Sequence, residues 1–525
     1  MGEPLTEDRA QSRGGWKTSP FILGAMVGVA IAVNGVLSNL AVYLIQQYNM
    51  GSIQATQIFN IINGCISLAP ILGGIISDSW LGCYSVITIA SAACLLGTIL
   101  ATLTSALPSL RPAPCSLPTC EAATIRQLSV LYIAMGLMAV GIGGTRYSTS
   151  TMGANQFDSN KDKGTFFNWF FIAAYLASII GHTAIVYIQD NAGWVWGFGL
   201  CSVITGIGLW LFLHGTLYFR RTKPEENPFM ELMQVIVSAV KSPKIRQISE
   251  CHYHTLDTEV GKPTPPRALT DSFSFLNRAA FNTEGRYACT VDQVEDLKTL
   301  IRLAPLVSTF LLLSNSISIQ NSLTTLQALV MDRHIGPGFL IPAGSVTVFV
   351  LITASLAIIV LDRAVYPVCR RFAQQVPTPL QRIGIGHLLN ALAMAWSALV
   401  ESSRLKALNS HQQGGTKTMS VLWVVPPLIL IGVGEAFHFP GQVAMFYQEF
   451  PPSLGGTATS MAALTAGLGY YLSTAIIAMV RRLTGWLEDD TNKSRLDNVY
   501  WMLAVMAMLN FGYFLLCAKL YKRRQ

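Results

Sequence analysis

Four ionisable side chains lie well inside long apolar runs of this sequence: Arg146, His182, Glu435 and His438. A charged side chain at mid-bilayer costs several kcal/mol on most scales, so each should face a cavity or a partner. Arg146 stands in Gly143-Gly-Thr-Arg-Tyr147 and Glu435 in Gly432-Val-Gly-Glu435-Ala-Phe437. A guanidinium grips a carboxylate or an anionic substrate through two parallel hydrogen bonds, a geometry that lysine lacks. Histidine titrates near neutrality, yet a lone helical histidine is more often a packing group than a ligand. The sequence has no Gly-rich phosphate loop, no metal-spaced His/Cys cluster and no nucleophile elbow, which argues against an enzyme and calls for no cofactor or metal. His252 and His254 lie in a polar stretch without further ligands. The first apolar run, Phe21 to Leu44, contains no charge at all.

The elements that must position these residues follow from composition. The 525-residue chain is 51% hydrophobic and only 12% charged, with a mean hydropathy of +0.44, about half the charge of a soluble globular protein. Apolar runs of about 20 residues, long enough to span a bilayer core, recur along nearly its whole length. Twelve are read, at 20–46, 55–77, 84–107, 127–150, 166–187, 194–217, 301–331, 341–361, 382–400, 420–446, 457–479 and 499–518. The expected fold class is an all-α polytopic membrane protein embedded in the lipid bilayer.

Lys and Arg concentrate in alternate loops: Arg9, Arg13 and Lys17; Lys161 and Lys163; Arg220, Arg221 and Lys223; Arg363, Arg370 and Arg371; Lys519 to Arg524. That bias places both termini in the cytoplasm. It also accounts for most of the +8 net charge, so no nucleic-acid surface is inferred. The expected organisation is a cytoplasmic tail at 1–18, a six-helix bundle at 19–217, a cytoplasmic central loop at 218–300, a second six-helix bundle at 301–518 and a cytoplasmic tail at 519–525. Within the loop, 228–240 reads as an amphipathic helix starting at a proline, lying on the membrane surface or against a bundle. On the opposite side, Cys115 and Cys120 could form a disulfide or remain two free thiols, and Asn492-Lys-Ser494 is an acceptor pattern for glycosylation. Six plus six around a long middle loop is the layout of two pseudo-symmetric bundles rocking about a central site.

Ala55-Thr-Gln57 to Gly64, followed by Gly74-Ile-Ile-Ser-Asp78-Ser-Trp-Leu-Gly82, resembles the second-helix and loop signature of the peptide/nitrate transporter branch of the major facilitator superfamily. Phe166-Phe-Asn168-Trp169-Phe170, Val186-Tyr187-Ile-Gln189-Asp190-Asn191 and Gly197-Phe-Gly199 resemble the fifth and sixth helices of its plant members. Met331-Asp332-Arg333 with Ile341-Pro342-Ala343, the Glu435 stretch, and Arg495-Leu-Asp497-Asn498 extend the likeness through the second half. The resemblance implies a cross-bundle pair, Arg146 with Glu435, whose making and breaking accompanies alternating access. The residues alone also allow a fixed tether between bundles.

The chain departs from that family in its first helix. The usual Glu-x-x-Glu-Arg/Lys motif falls on Met26, Val29 and Ala30, and the following tyrosine positions become Val33 and Asn34. No side chain there can load and release a proton, and the hydroxyls that peptide carriers use are gone. Cys83 follows Gly82 where a basic residue is usual, and Ala174-Tyr175-Leu-Ala177 replaces an Ile-Asn-x-Gly pattern. The seventh helix carries Ser314, Asn315, Gln320, Asn321, Thr324 and Gln327 but no histidine.

These losses, with the stretch from Ser322 to Asp332, resemble a plant subgroup associated with nitrate excretion. The resemblance implies a low-affinity carrier of nitrate or a similar small anion, weakly coupled or uncoupled to protons, in the plasma or vacuolar membrane. Substrate would meet Arg146, Glu435, Gln320, Tyr175, Asn34 and His182; Arg146, Glu435, Asp78, Gly74 and Gly82 would couple to the conformational change. A carrier of a larger plant metabolite, a glycoside or hormone, and a sensor that has lost transport remain alternatives.

Overall fold

The structure, a computed structural model, describes residues 14–115, 121–220, 228–241, 269–270, 272–280, 289–336, 338–412, 419–449 and 458–522. Twelve of its helices are long and apolar enough to cross a membrane. The first span runs Ser19–Ser38 and, after a break at Asn39, Leu40–Tyr48; the second to fourth are Ser52–Ile76, Gly82–Ala106 and Ile125–Ala154. The fifth joins Asn160–Ile180 to Val186–Asn191 through a π turn at Gly181–Ile185, and the sixth is Trp194–His214. The seventh is Val291–Leu329; the eighth runs from Val348–Val360 to Tyr366–Ala373. Pro379–Gln412, Val425–Glu449, Ala458–Thr484 and Leu496–Lys522 complete the set.

Local sequence explains several boundaries. Thr124 with Gln127, Thr290 with Gln293 and Thr378 with Gln381 form reciprocal capping bonds at the starts of the fourth, seventh and ninth spans, satisfying amides that would otherwise lack partners. The seventh helix thus begins at Val291, inside the stretch that hydropathy assigned to the central loop, because a polar first turn hides its start. The ninth span likewise continues past residue 400 to Gln412. The second and eighth spans both relax into π turns, Ser77–Leu81 and Leu361–Val365, and Gly82 leaves the first of these at φ 73°, where a side chain would be strained.

One apolar core fills the first bundle, and a separate cluster fills the end of the second bundle against which the helix Pro228–Lys241 packs. The third cluster unites them at the outer end: Val42 and Ile53 of the first bundle pack with Ile319, Leu323 and Leu487 of the second. The surface helix Pro228–Lys241 buries Val235 and Ala239 against Leu276, Ala280, Val291 and Val294. It is therefore docked on the second bundle.

Two buried ion pairs brace that bundle. Glu401 and Arg404, with side chains 0% and 4% exposed, meet at 2.7 Å; Gln327 of the seventh span donates to Glu401, and Arg404 donates to Asn492. Lys298 bonds Glu295 at 2.6 Å and the Thr270 carbonyl at 2.7 Å. Removing one member of a buried pair strands the other charge. Arg404→Met should lower stability by about 3–5 kcal/mol, whereas the double variant Glu401→Leu/Arg404→Met should recover most of that loss; thermal unfolding of the purified carrier checks both.

Candidate substrate cavity and outer gate

Glycine packing places the two central charges. A Cβ on Gly143 would lie 2.7 Å from the Ala69 Cβ of the second span, and one on Gly144 would lie 2.4 Å from the Ala90 Cβ of the third. The fourth helix is thereby seated deep between two neighbours, with Arg146 on the side left exposed. The tenth helix repeats the device: Gly432 sits against the Val350 carbonyl of the eighth span, and Gly434 against Gly386 and Leu389 of the ninth. Glu435 follows, partly exposed.

Among the described residues no ion pair within 4.0 Å joins Arg146 to Glu435. Tyr175 of the fifth span, 40% exposed, lies within electrostatic range of both, and Tyr470 of the eleventh lies beside Asn321 and within range of Glu435. The charges, one from each bundle, thus lie within electrostatic range of the same tyrosine without forming an ion pair.

Other expected site residues are placed differently. Gln320 is fully buried and donates to the Ser397 hydroxyl at 2.7 Å, an interhelical tie that leaves no surface for a substrate in this state. Asn34 donates to the Ala30 carbonyl and to Ser178, and His182 Nδ1 lies 2.9 Å from the Ser178 carbonyl; the two meet on the first–fifth helix seam. Gly74 is in open space. The Asp78 side chain and Cys120 lie outside the described residues; Cys115 is disulfide-bonded. Asn492 is exposed, but its side-chain oxygen is held by Arg404 and the Ser494 hydroxyl is buried in the loop.

Hydropathy did not single out His387, which is 1% exposed and lies 5.8 Å from His438 between ring centroids, because one histidine barely perturbs an apolar run. It passed over Glu401 and Arg404 because they stand just beyond the end of one.

The outer end is closed by contacts between bundles. Arg333 approaches Asp190 at 3.8 Å, Tyr187 stacks on Phe339, Ser52 donates to the Asp489 carbonyl, and Gly344 abuts the Ser38 carbonyl. Asn39, at the break in the first span, donates to both Gln189 and Asp190. Beside the gate, the His334 ring hydrogen-bonds Asp332 and holds its carboxyl below the usual carboxylate range. Deeper, Cys65 and Tyr471 meet at 3.0 Å over Gly64.

A family model described as PTR2, POT family, matches residues 84–493. The chain belongs to the POT family. It is 45% identical over 528 residues to Protein NRT1/PTR FAMILY 2.7 and 46% identical over 528 residues to Protein NRT1/PTR FAMILY 2.6, both of Arabidopsis thaliana, each alignment covering 97% of this chain and 93% of the relative. In fold it is similar to an auto-inhibited POT family peptide transporter (TM-score 0.74, 18% identity, 96% of this chain and 97% of that one) and to the POT family transporter PepTSo (TM-score 0.73, 18% identity, 97% and 99%). This POT-family chain is an integral multi-pass membrane transporter, not an enzyme.

The Asp190–Arg333 pair of this carrier is about one-fifth exposed on each side, and such pairs are worth at most about 1 kcal/mol. Asp190→Asn should shift the population toward the outward-open state by no more than about fivefold, read as a change in spin-label distances between the outer ends of the fifth and eighth spans.

Proposed function

We propose that this transporter carries nitrate or a comparable small anion by alternating access, with low affinity and in the direction of efflux, across the plasma membrane. The observation that carries the reading is the exposed Arg146 side chain, which shares Tyr175 with Glu435 within electrostatic range and, among the described residues, has no carboxylate within 4.0 Å. A planar, permanently charged fork suits a trigonal oxyanion. Tyr175, in range of both charges, is the donor best placed to share it. Glu435 opposes anion entry when ionised and attracts Arg146 when the cavity is empty, which gives the empty carrier a means of closing.

Weak coupling or none to protons is supported by the first span. Met26, Val29 and Ala30 are 5%, 2% and 8% exposed and belong to the core of the first bundle. Apolar contacts occupy the positions where a carboxylate would have to face water. Net flux then follows the electrochemical gradient of the anion.

Reconstituted carrier should move nitrate down an imposed gradient without an inward proton gradient. Arg146→Ala should weaken nitrate binding by about 10- to 100-fold, from the 1.5–3 kcal/mol of a hydrogen bond to a charged group, and Arg146→Lys should recover part of it. Strict dependence of flux on inward proton movement would overturn the uncoupled reading, and unchanged nitrate flux in Arg146→Ala would overturn the anion site.

A further inference from the structure

Between the ninth and twelfth spans lies a groove of about 780 Å³ that shares no residue with the central site or the outer gate. Leu380, Gly384 and Leu388 supply one wall and Lys519, Leu515 and Phe511 the other. The two walls run in opposite chain order, so the groove follows both helix axes for about 12 Å at 1.5 Å per residue. Phe514 is its floor: the ring is 1% exposed and stacks on His387 at 4.8 Å and 14°. The hollow exists because residue 384 is a glycine; a Cβ there would lie 3.2 Å from the Phe514 ring. Both spans pack within the second bundle, and Ile385, Leu388 and Leu515 stand exposed along the rim.

The groove is apolar except at one end. Gln381 lies there in the first turn of the ninth span, beside Lys519 in the last turn of the twelfth. Gln381 spends its side-chain oxygen on the Thr378 amide, which leaves it an N–H donor. Lys519 is exposed and, among the described residues, has no carboxylate within 4.0 Å. No acidic residue lines the groove, and the sequence continues with Lys522, Arg523 and Arg524. A basic cluster at the end of a membrane span attracts anionic headgroups. A sterol hydroxyl brings no charge to meet Lys519, and a choline headgroup brings a second cation with no carboxylate to receive it.

We propose that this groove binds an anionic phospholipid, one acyl chain along the Phe514 floor and the phosphate between Lys519 and Gln381. Both walls belong to the second bundle, so the site is complete whichever way the two bundles are disposed. A ligand bound equally by two states shifts neither. The lipid therefore braces the second bundle without favouring one conformation.

The test uses full-length carrier in detergent micelles with a photoactivatable phosphatidylglycerol. Labelling should fall on the segments containing Leu388 and Leu515. Unlabelled phosphatidylglycerol should compete about fivefold better than phosphatidylcholine, the difference expected from one lysine at the headgroup. Lys519→Gln should abolish that preference, and Gly384→Leu, which fills the groove, should abolish the labelling. Phosphatidylglycerol should raise the melting temperature of the wild type and leave that of Gly384→Leu unchanged. If Gly384→Leu does not purify as a monodisperse species, Ile385→Trp closes the groove from its exposed rim and gives the same reading. Equal competition by phosphatidylcholine, a preference unchanged in Lys519→Gln, or displacement of the label by a sterol or a free fatty acid at the same concentration would overturn the proposal.

Discussion

A guanidinium can stand in the middle of a membrane only where water reaches it or a counter-charge lies against it. Among the described residues Arg146 has no carboxylate within 4.0 Å, so its tolerance rests on the exposure of its side chain. The glycines that precede it push the fourth helix against Ala69 and Ala90, and the glycines before Glu435 do the same for the tenth helix against the eighth and ninth. Each helix is anchored on its packed face and presents its charge from the opposite one. Geometry at the cavity is inherited from close backbone packing behind it.

The buried charges divide into two kinds. Glu401 with Arg404, and Glu295 with Lys298, are enclosed and bonded within hydrogen-bond distance, so they are locked and can only brace. Arg146 and Glu435 sit on different bundles and are not within 4.0 Å of each other, so under the proposed alternating access their interaction energy would change as the bundles close. A transporter needs that dependence, because a conformational change can be driven only by a difference in interaction between states. The same logic applies at the outer gate, where Asp190, Arg333, Tyr187 and Phe339 meet across the seam.

The first helix plays an unusual part in this arrangement. Its apolar face is packed into its own bundle, and its break at Asn39 is tied to Gln189 and Asp190 of the fifth span. The first helix and the gate residues of the fifth span are therefore joined within one bundle.

The amino-acid sequence by itself determined the class, the twelve spans and the charged positions of the fourth and tenth spans, because bilayer thickness and the cost of unsolvated charge act on local composition. The surface helix at Pro228 was legible from its apolar stripe, though whether it met lipid or protein was not. Only the tertiary structure decided that Gln320 ties the seventh helix to Ser397, that Glu401 and Arg404 are interior, and that His387 partners His438. A polar side chain in an apolar helix reads the same whether it faces a cavity or a neighbouring helix. Which face is turned where is set by packing between segments hundreds of residues apart, and hydropathy along the chain carries no record of that.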